Sequence, residues 1–147
     1  MSTEENKAIM RRMYDAWNAG DMEALQDFIA PDYVHHRSGT TVQPESGPEF
    51  YRQWLTEHST AFPDHHSKVD DLLADGDKVV SRWTVTGTQR CVESTPLGAI
   101  PPSGKKVAVT GTTIARLAGS KIAKEWFEID ILGLLMQIGA IAAPTAS

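Results

Sequence analysis

Apolar positions in the first third of the chain fall on a helical spacing. Ile9, Met13 and Trp17 recur every four residues and form one stripe. Ser2 followed by Glu5 has the spacing of a capping box, and Gly20 supplies the left-handed residue that ends such a helix. Asp21 can cap a second, shorter helix whose Met22, Leu25, Phe28 and Ile29 share a face, with Pro31 just beyond. A third helix is predicted from about Ser46, with Pro48 in its first turn and Glu49 at capping-box distance. It carries Phe50, Trp54 and Leu55 and ends before Pro63, which disfavours helix at Phe62. Beyond Pro63 the period changes to two. SKVDDLLA, KVVSRWTVTGT, KKVAVTGTTIARL and KIAKEWFEID are rich in Val, Ile, Thr and Trp, as strands are. Asp75-Gly76-Asp77 and Ala118-Gly119-Ser120 read as hairpin turns. The longer loop CVESTPLGAIPPSG separates the second of these strands from the third, and a short strand at Tyr33–Arg37 joins the same sheet. Helices followed by a meander, without alternation, predict an α+β fold with an antiparallel sheet. The helices are too few to cover a flat sheet, so the sheet should curl around them and leave a ligand-sized cavity.

The last strand raises the main question of the chain. Ile122, Lys124, Trp126, Glu128 and Asp130 share one face by parity, and Ala123, Glu125, Phe127 and Ile129 the other. Neither face is cleanly apolar, and a bulge would move the register midway. If Ile122 and Trp126 point to the core, Asp130 follows them. Yet Asp130 stands directly before ILGLLMQI, a plausible helix, and aspartate is among the best N-cap residues. An N-cap and an acid/base role are both compatible with the pattern. A carboxylate held by backbone N–H groups would have a lowered pKa and be the weaker base.

Composition narrows the functions. With 147 residues, 41% hydrophobic and 22% charged, the chain reads as one soluble domain spanning 1–147. A net charge of −5 from 19 acidic and 14 basic residues argues against nucleic acid, whose phosphates select a basic face. The single Cys91 excludes an intrachain disulfide framework and fits a reducing compartment. The polar start MSTEENK is unlike a signal peptide, and the apolar run from Ile131 to Ala143 is shorter than the ~20 residues of a membrane span. A cytoplasmic location is expected. His35-His36 and His65-His66 are doublets whose rings face opposite ways on a strand, so neither can chelate one metal. There is no HExxH, GxSxG, GxGxxG or Walker sequence, and no metal site is expected. Acid–base chemistry without a cofactor, or plain binding, is what these residues leave.

AWNAGDMEALQDFIAPDYVHH, AFPDHHSKVDDLLADGDKVVSRWTVTGT, IPPSGKKVAVTGTTIARL and GSKIAKEWFEIDILGLLMQIG, in this order, cover most of the chain. Through FPD, GDKVV, TGT, PPSGKK and the closing EW–D–LGLL–QIG run, the chain resembles the SnoaL-like polyketide cyclases of the NTF2-like superfamily. The resemblance implies a cone of curved sheet around three N-terminal helices, with a short C-terminal helix. It also implies a cofactor-free intramolecular aldol condensation closing a ring in a polyketide-type ester, with Asp130 as general acid/base. His36 and His66 stand where relatives often carry histidine and are expected in or near the pocket as further catalytic residues. Tyr33, Trp83 and Trp126 are expected walls for a small hydrophobic, aromatic substrate, with core packing the alternative for the tryptophans. Gln89, which replaces a histidine that many relatives carry after TGT, and Arg116, which stands where anthracycline cyclases use an assisting histidine, are expected to contact the substrate as well. Family members commonly pair, so a homodimer or homotetramer is expected. The same cone hosts isomerases, dehydratases, hydrolases and non-enzymatic binders, so the fold alone does not settle the chemistry. The apolar tail LGLLMQIGAIAA could alternatively serve self-association.

Overall fold

A computed structural model describes residues 1–37, 44–142 and 144 of the chain. Helix α1 spans Thr3–Ala19. Ser2 Oγ accepts the Glu5 N–H at 3.1 Å, and Gly20, at φ 70°, closes the helix with its N–H turned back to Trp17 O. Asp21 caps α2 (Met22–Asp27) through the Ala24 N–H at 3.0 Å. Strand β1 (Ile29–Arg37) begins four residues before the predicted strand. It carries Pro31 at an irregularity in its pairing, where a missing N–H is tolerated. Helix α3 (Pro48–Ala61) differs from expectation at its start. Ser46 belongs to the two-residue strand β2 (Glu45–Ser46), and the cap is Gly47 at φ 91° without a side-chain bond.

Strands β3 (His66–Asp75), β4 (Lys78–Thr88), β7 (Lys106–Ala118) and β8 (Lys121–Ile129) form the expected meander. The long loop between β4 and β7 is itself partly a hairpin, β5 (Glu93–Thr95) with β6 (Gly98–Ile100). The main sheet has the order β2-β1-β8-β7-β4-β3. Every pair in it is antiparallel except β1 with β8, which run parallel, so the sheet is mixed where the pattern alone predicted an antiparallel one. The chain between β1 and β8 is long and contains α3, and a hairpin geometry is not imposed on strands so far apart in sequence. The α+β class and the cone stand.

Two apolar clusters hold the fold. At one end α1, α2 and α3 place Ile9, Met10, Leu25 and Leu55 against Val79, Ala115, Leu117 and Ile122 of the sheet. At the other, α4 (Ile131–Gln137) brings Leu134, with Ile138 just after it, onto Ala61, Phe62, Val107 and Val109. The apolar tail is thus largely spent inside the domain, with Leu132 and Met136 exposed. FPD and TGT meet where Asp64 accepts both the Thr88 N–H at 2.7 Å and its hydroxyl at 2.8 Å. These bonds hold the Asp64 carboxyl below its ordinary pKa. A Cβ at Gly87 would come within 3.2 Å of Phe62, which would have to give way by a few tenths of an ångström. Among the described residues no helix is long and apolar enough to cross a membrane.

Candidate active site

A cavity of about 430 Å³ opens into the cone and borrows its walls from both clusters. That is the size of a small-ligand site. Its aromatic walls include Trp17, Trp54, Trp83 and Phe127. Trp83 and Phe127 lie nearly parallel, 26° apart with centroids at 5.3 Å. The Trp83 indole is fixed by its N–H donating to Thr113 Oγ1 at 3.0 Å. It packs over Gly111, where a Cβ would occupy the space of the ring.

The β8 register decides which carboxyl reaches this space. Leu117 of β7 pairs with Ile122, but Arg116 pairs with Lys124, so Ala123 is an extra residue on β8. Ile122 and Ala123 are both buried, and from there the inner face passes to Glu125, Phe127 and Ile129. Glu125 lines the cavity at 6% exposure. Tyr33 Oη donates to its Oε1 at 3.1 Å and lies 2.7 Å from His35 Nδ1. With its one proton committed to Glu125, Tyr33 accepts from Nδ1–H of His35. That tautomer leaves the buried His35 Nε2, which has no partner, as a bare acceptor rather than a stranded donor. Burial raises the Glu125 pKa to about 7, against the lowering effect of the Tyr33 bond. Burial also lowers His35 to about 4, with Arg37, His36 and His58 adding to the effect. The row His35–Tyr33–Glu125 is therefore neutral at its histidine end and titrates at its carboxyl end near neutral pH.

Of the residues singled out from sequence, the structure brings Trp83 into the cavity wall and Tyr33 into contact with Glu125. It separates the others from them. His36 and Trp126 stack on the outer face at 5.8 Å, with the Lys124 and Lys78 ammonium groups over the indole at 4.9 and 5.6 Å. Arg116, cross-strand from Lys124, is on that face too, and His66 is exposed at the start of β3. Their doublet partners turn inward: His35 is buried, and His65 lines the cavity, stacked on Trp17 at 4.1 Å. Burial lowers the His65 pKa. Gln89 is fully buried and ties down the hairpin loop. Its amide N–H₂ faces the carbonyls of Cys91, Ile100 and Pro101 at 3.1–3.3 Å, and its carbonyl accepts the Ser103 N–H at 3.1 Å. Asp130 is exposed and caps α4, accepting the Gly133 N–H at 2.9 Å. Sequence reasoning passed over Glu125. The available signal was that Glu125 is the one charged residue on the otherwise apolar face of Ala123, Phe127 and Ile129. Also unforeseen are His58 of α3 and Glu93 of β5, which line the cavity and join at 3.0 Å through His58 Nδ1. Among the described residues no group of three His, Cys, Asp or Glu is arranged to hold a metal ion.

A family model for SnoaL-like polyketide cyclases matches residues 7–138. The chain belongs to the SnoaL-like polyketide cyclase family. Solved structures agree on the NTF2-like cone. AclR, a proposed hydroxylase from Streptomyces galilaeus, is 26% identical with a TM-score of 0.84, over 98% of this chain and 87% of its own. TsrD from Streptomyces laurentii is 29% identical with a TM-score of 0.82, over 96% and 99%. IdmH, a proposed polyketide cyclase from Streptomyces antibioticus, is 28% identical with a TM-score of 0.76, over 91% and 98%. No curated protein matches the chain at a significant level. A proposed hydroxylase and a proposed polyketide cyclase on one SnoaL-like cone support a cyclase-type function and leave the chemistry to the residues of the cavity.

Proposed function

We propose that this SnoaL-like protein closes a ring in a flat, hydrophobic polyketide-type ester by cofactor-free aldol condensation, with Glu125 as its base. One observation carries the reading: a carboxyl in an apolar cavity, raised to a pKa of about 7 and steadied by Tyr33. Such a carboxylate is strong enough to take a proton from a carbon between two carbonyls, yet half-ionised at neutral pH. The enolate then attacks a second carbonyl of the same molecule, and the alkoxide takes a proton. Aldol addition transfers no net electrons, so it needs no redox cofactor. Trp83 and Phe127 would hold the substrate plane and bring the two carbonyl carbons together. The resemblance alone had put the base at Asp130, and that role rests on sequence similarity without a place in the cavity wall.

The test uses a methyl β-keto ester whose γ carbon bears an ortho-formylphenyl ring. Aldol closure and loss of water convert it to a fluorescent methyl hydroxynaphthoate. The wild type is expected to accelerate this conversion. E125Q should abolish the acceleration while still binding the product, read from quenching of tryptophan fluorescence. Undiminished turnover by E125Q refutes the assignment.

A further inference from the structure

Glu93 and His58 come from parts of the chain that share no other task. His58 is in the last turn of α3, and Glu93 opens the β5–β6 hairpin that forms one wall of the cavity. A carboxyl at 3% side-chain exposure is costly to bury for packing alone, and this one spends its partner on a single imidazole. The Glu93 Oε1 to His58 Nδ1 contact of 3.0 Å fixes which ring nitrogen is occupied. Nε2 is left as the nitrogen through which His58 can meet a substrate. The ring is held edge-on by Trp54 at 4.8 Å, and Trp54 in turn meets Phe127, two residues from Glu125 on the same strand face, at 5.5 Å. A carboxyl behind one nitrogen, an aromatic brace, and a ring that lines a cavity make the arrangement by which proteins aim an imidazole for proton transfer.

We propose that His58, oriented by Glu93, is a second catalytic residue of this cavity and protonates the alkoxide formed when the ring closes. The inference rests on the function proposed above and adds the acid that reaction requires. The balance is simple. The carbon between the two carbonyls gives its proton to Glu125, and its electron pair forms the bond to the aldehyde carbon. The aldehyde oxygen takes the released pair and accepts the proton from Nε2 of imidazolium His58. Exchange with water then returns the proton from Glu125 and recharges His58, so nothing is oxidised or reduced. Glu93 is a positioning residue, and because it arrives on the hairpin, the acid is aimed only when that wall is in place. The charged and titratable groups around His58 are Glu93 from β5, His35 and Arg37 from β1, His65 before β3, and Glu125 from β8.

The test compares wild type, H58Q, E93Q and E125Q on the formylphenyl keto ester, with nitrogen-15 NMR of the histidine rings as an independent readout. H58Q is expected to lower kcat by about 100-fold or more with KM within about threefold, and to erase one limb of the pH–rate profile. E93Q should lower kcat by a smaller factor and release the His58 tautomer, which in the wild type keeps its proton on Nδ1. Methyl hydroxynaphthoate should shift the His58 Nε2 resonance on binding. H58Q turnover within threefold of wild type, beside a dead E125Q, overturns the dyad and leaves the proposed function standing. Absence of acceleration by the wild type counts against the function itself. The ring resonances then decide the dyad: a neutral His58 whose single proton sits on Nε2, or a His58 indifferent to the naphthoate, overturns it.

Discussion

Glu125→Gln gives the sharpest check on the electrostatics, because it removes one titration and leaves the shape. Glutamine keeps an oxygen for the Tyr33 hydroxyl, so the hydrogen-bonded row survives. The folded protein holds the Glu125 proton up to a pKa of about 7 against 4.5 for the ordinary group. A raised carboxyl pKa contributes stability that is fully present below pH 4.5 and is lost as pH rises through about 7. The difference corresponds to about 3 kcal/mol. His35 works in the other direction. Its folded pKa of about 4, against 6.5, contributes stability that is lost as pH falls from 6.5 toward 4, again by about 3 kcal/mol. In the wild type the two slopes oppose each other over the shared window, and in E125Q the histidine slope is exposed. Chemical denaturation of both proteins from pH 4.5 to 8 isolates the Glu125 part, since all other groups cancel in the difference. E125Q should gain about 3 kcal/mol on the wild type across that range. A difference flat to within about 0.5 kcal/mol would mean that the carboxyl is not desolvated, and the argument for it as the base would fall with it.

Three further substitutions probe two positions that the sequence had singled out, Asp130 and Gln89. D130N should keep turnover of the keto ester within threefold, since asparagine caps a helix as well as aspartate, whereas D130A should cost about 1 kcal/mol through the lost bond to Gly133; a D130N protein without turnover would restore Asp130 as the base. Q89A strands the carbonyls of Cys91, Ile100 and Pro101 under the hairpin and should destabilise by about 2–3 kcal/mol, with hydrogen exchange rising first in residues 91–103; unchanged exchange there would remove Gln89 from the loop's support.

Much of the fold was legible because its signals are local. Ser2, Gly20 and Asp21 announced the ends of the first two helices through cap chemistry that needs no tertiary context. The strands of the meander stood out by composition and by their turns. The parallel pairing of β1 with β8 was not legible, since it joins segments about ninety residues apart, Val34 with Lys124 for one, and leaves no local trace. Ser46 failed as a cap for a related reason: pairing with Val34 claimed its backbone before the helix could. In each histidine doublet one ring had to face inward, and the choice of His35 and His65 over His36 and His66 depends on strand registers that pattern alone does not set. The dyad of His58 and Glu93 required knowing that the long loop folds back as a hairpin onto α3.

Ala123 concentrates this difficulty in one residue. Without the bulge it forms, and with Ala123 paired in turn, parity from the buried Ile122 would carry Lys124, Trp126, Glu128 and Asp130 inward, the face on which Asp130 enters the core. With it, Glu125, Phe127 and Ile129 face the cavity, and Trp126 turns out to stack on His36. Deleting Ala123 removes the bulge without moving the register, because Ile122 and Lys124 already pair with the consecutive residues Leu117 and Arg116. Glu125, Phe127 and Ile129 then share the face of Ile122 by simple alternation. The deletion variant should therefore fold, lose only the packing of Ala123, and keep Glu125 titrating at about 7. Circular dichroism melting and carboxyl carbon-13 titration check the two parts. A folded deletion variant whose Glu125 titrates as an ordinary carboxyl would show that this alternation does not set the cavity face, and the choice of Glu125 over Asp130 would lose its structural cause.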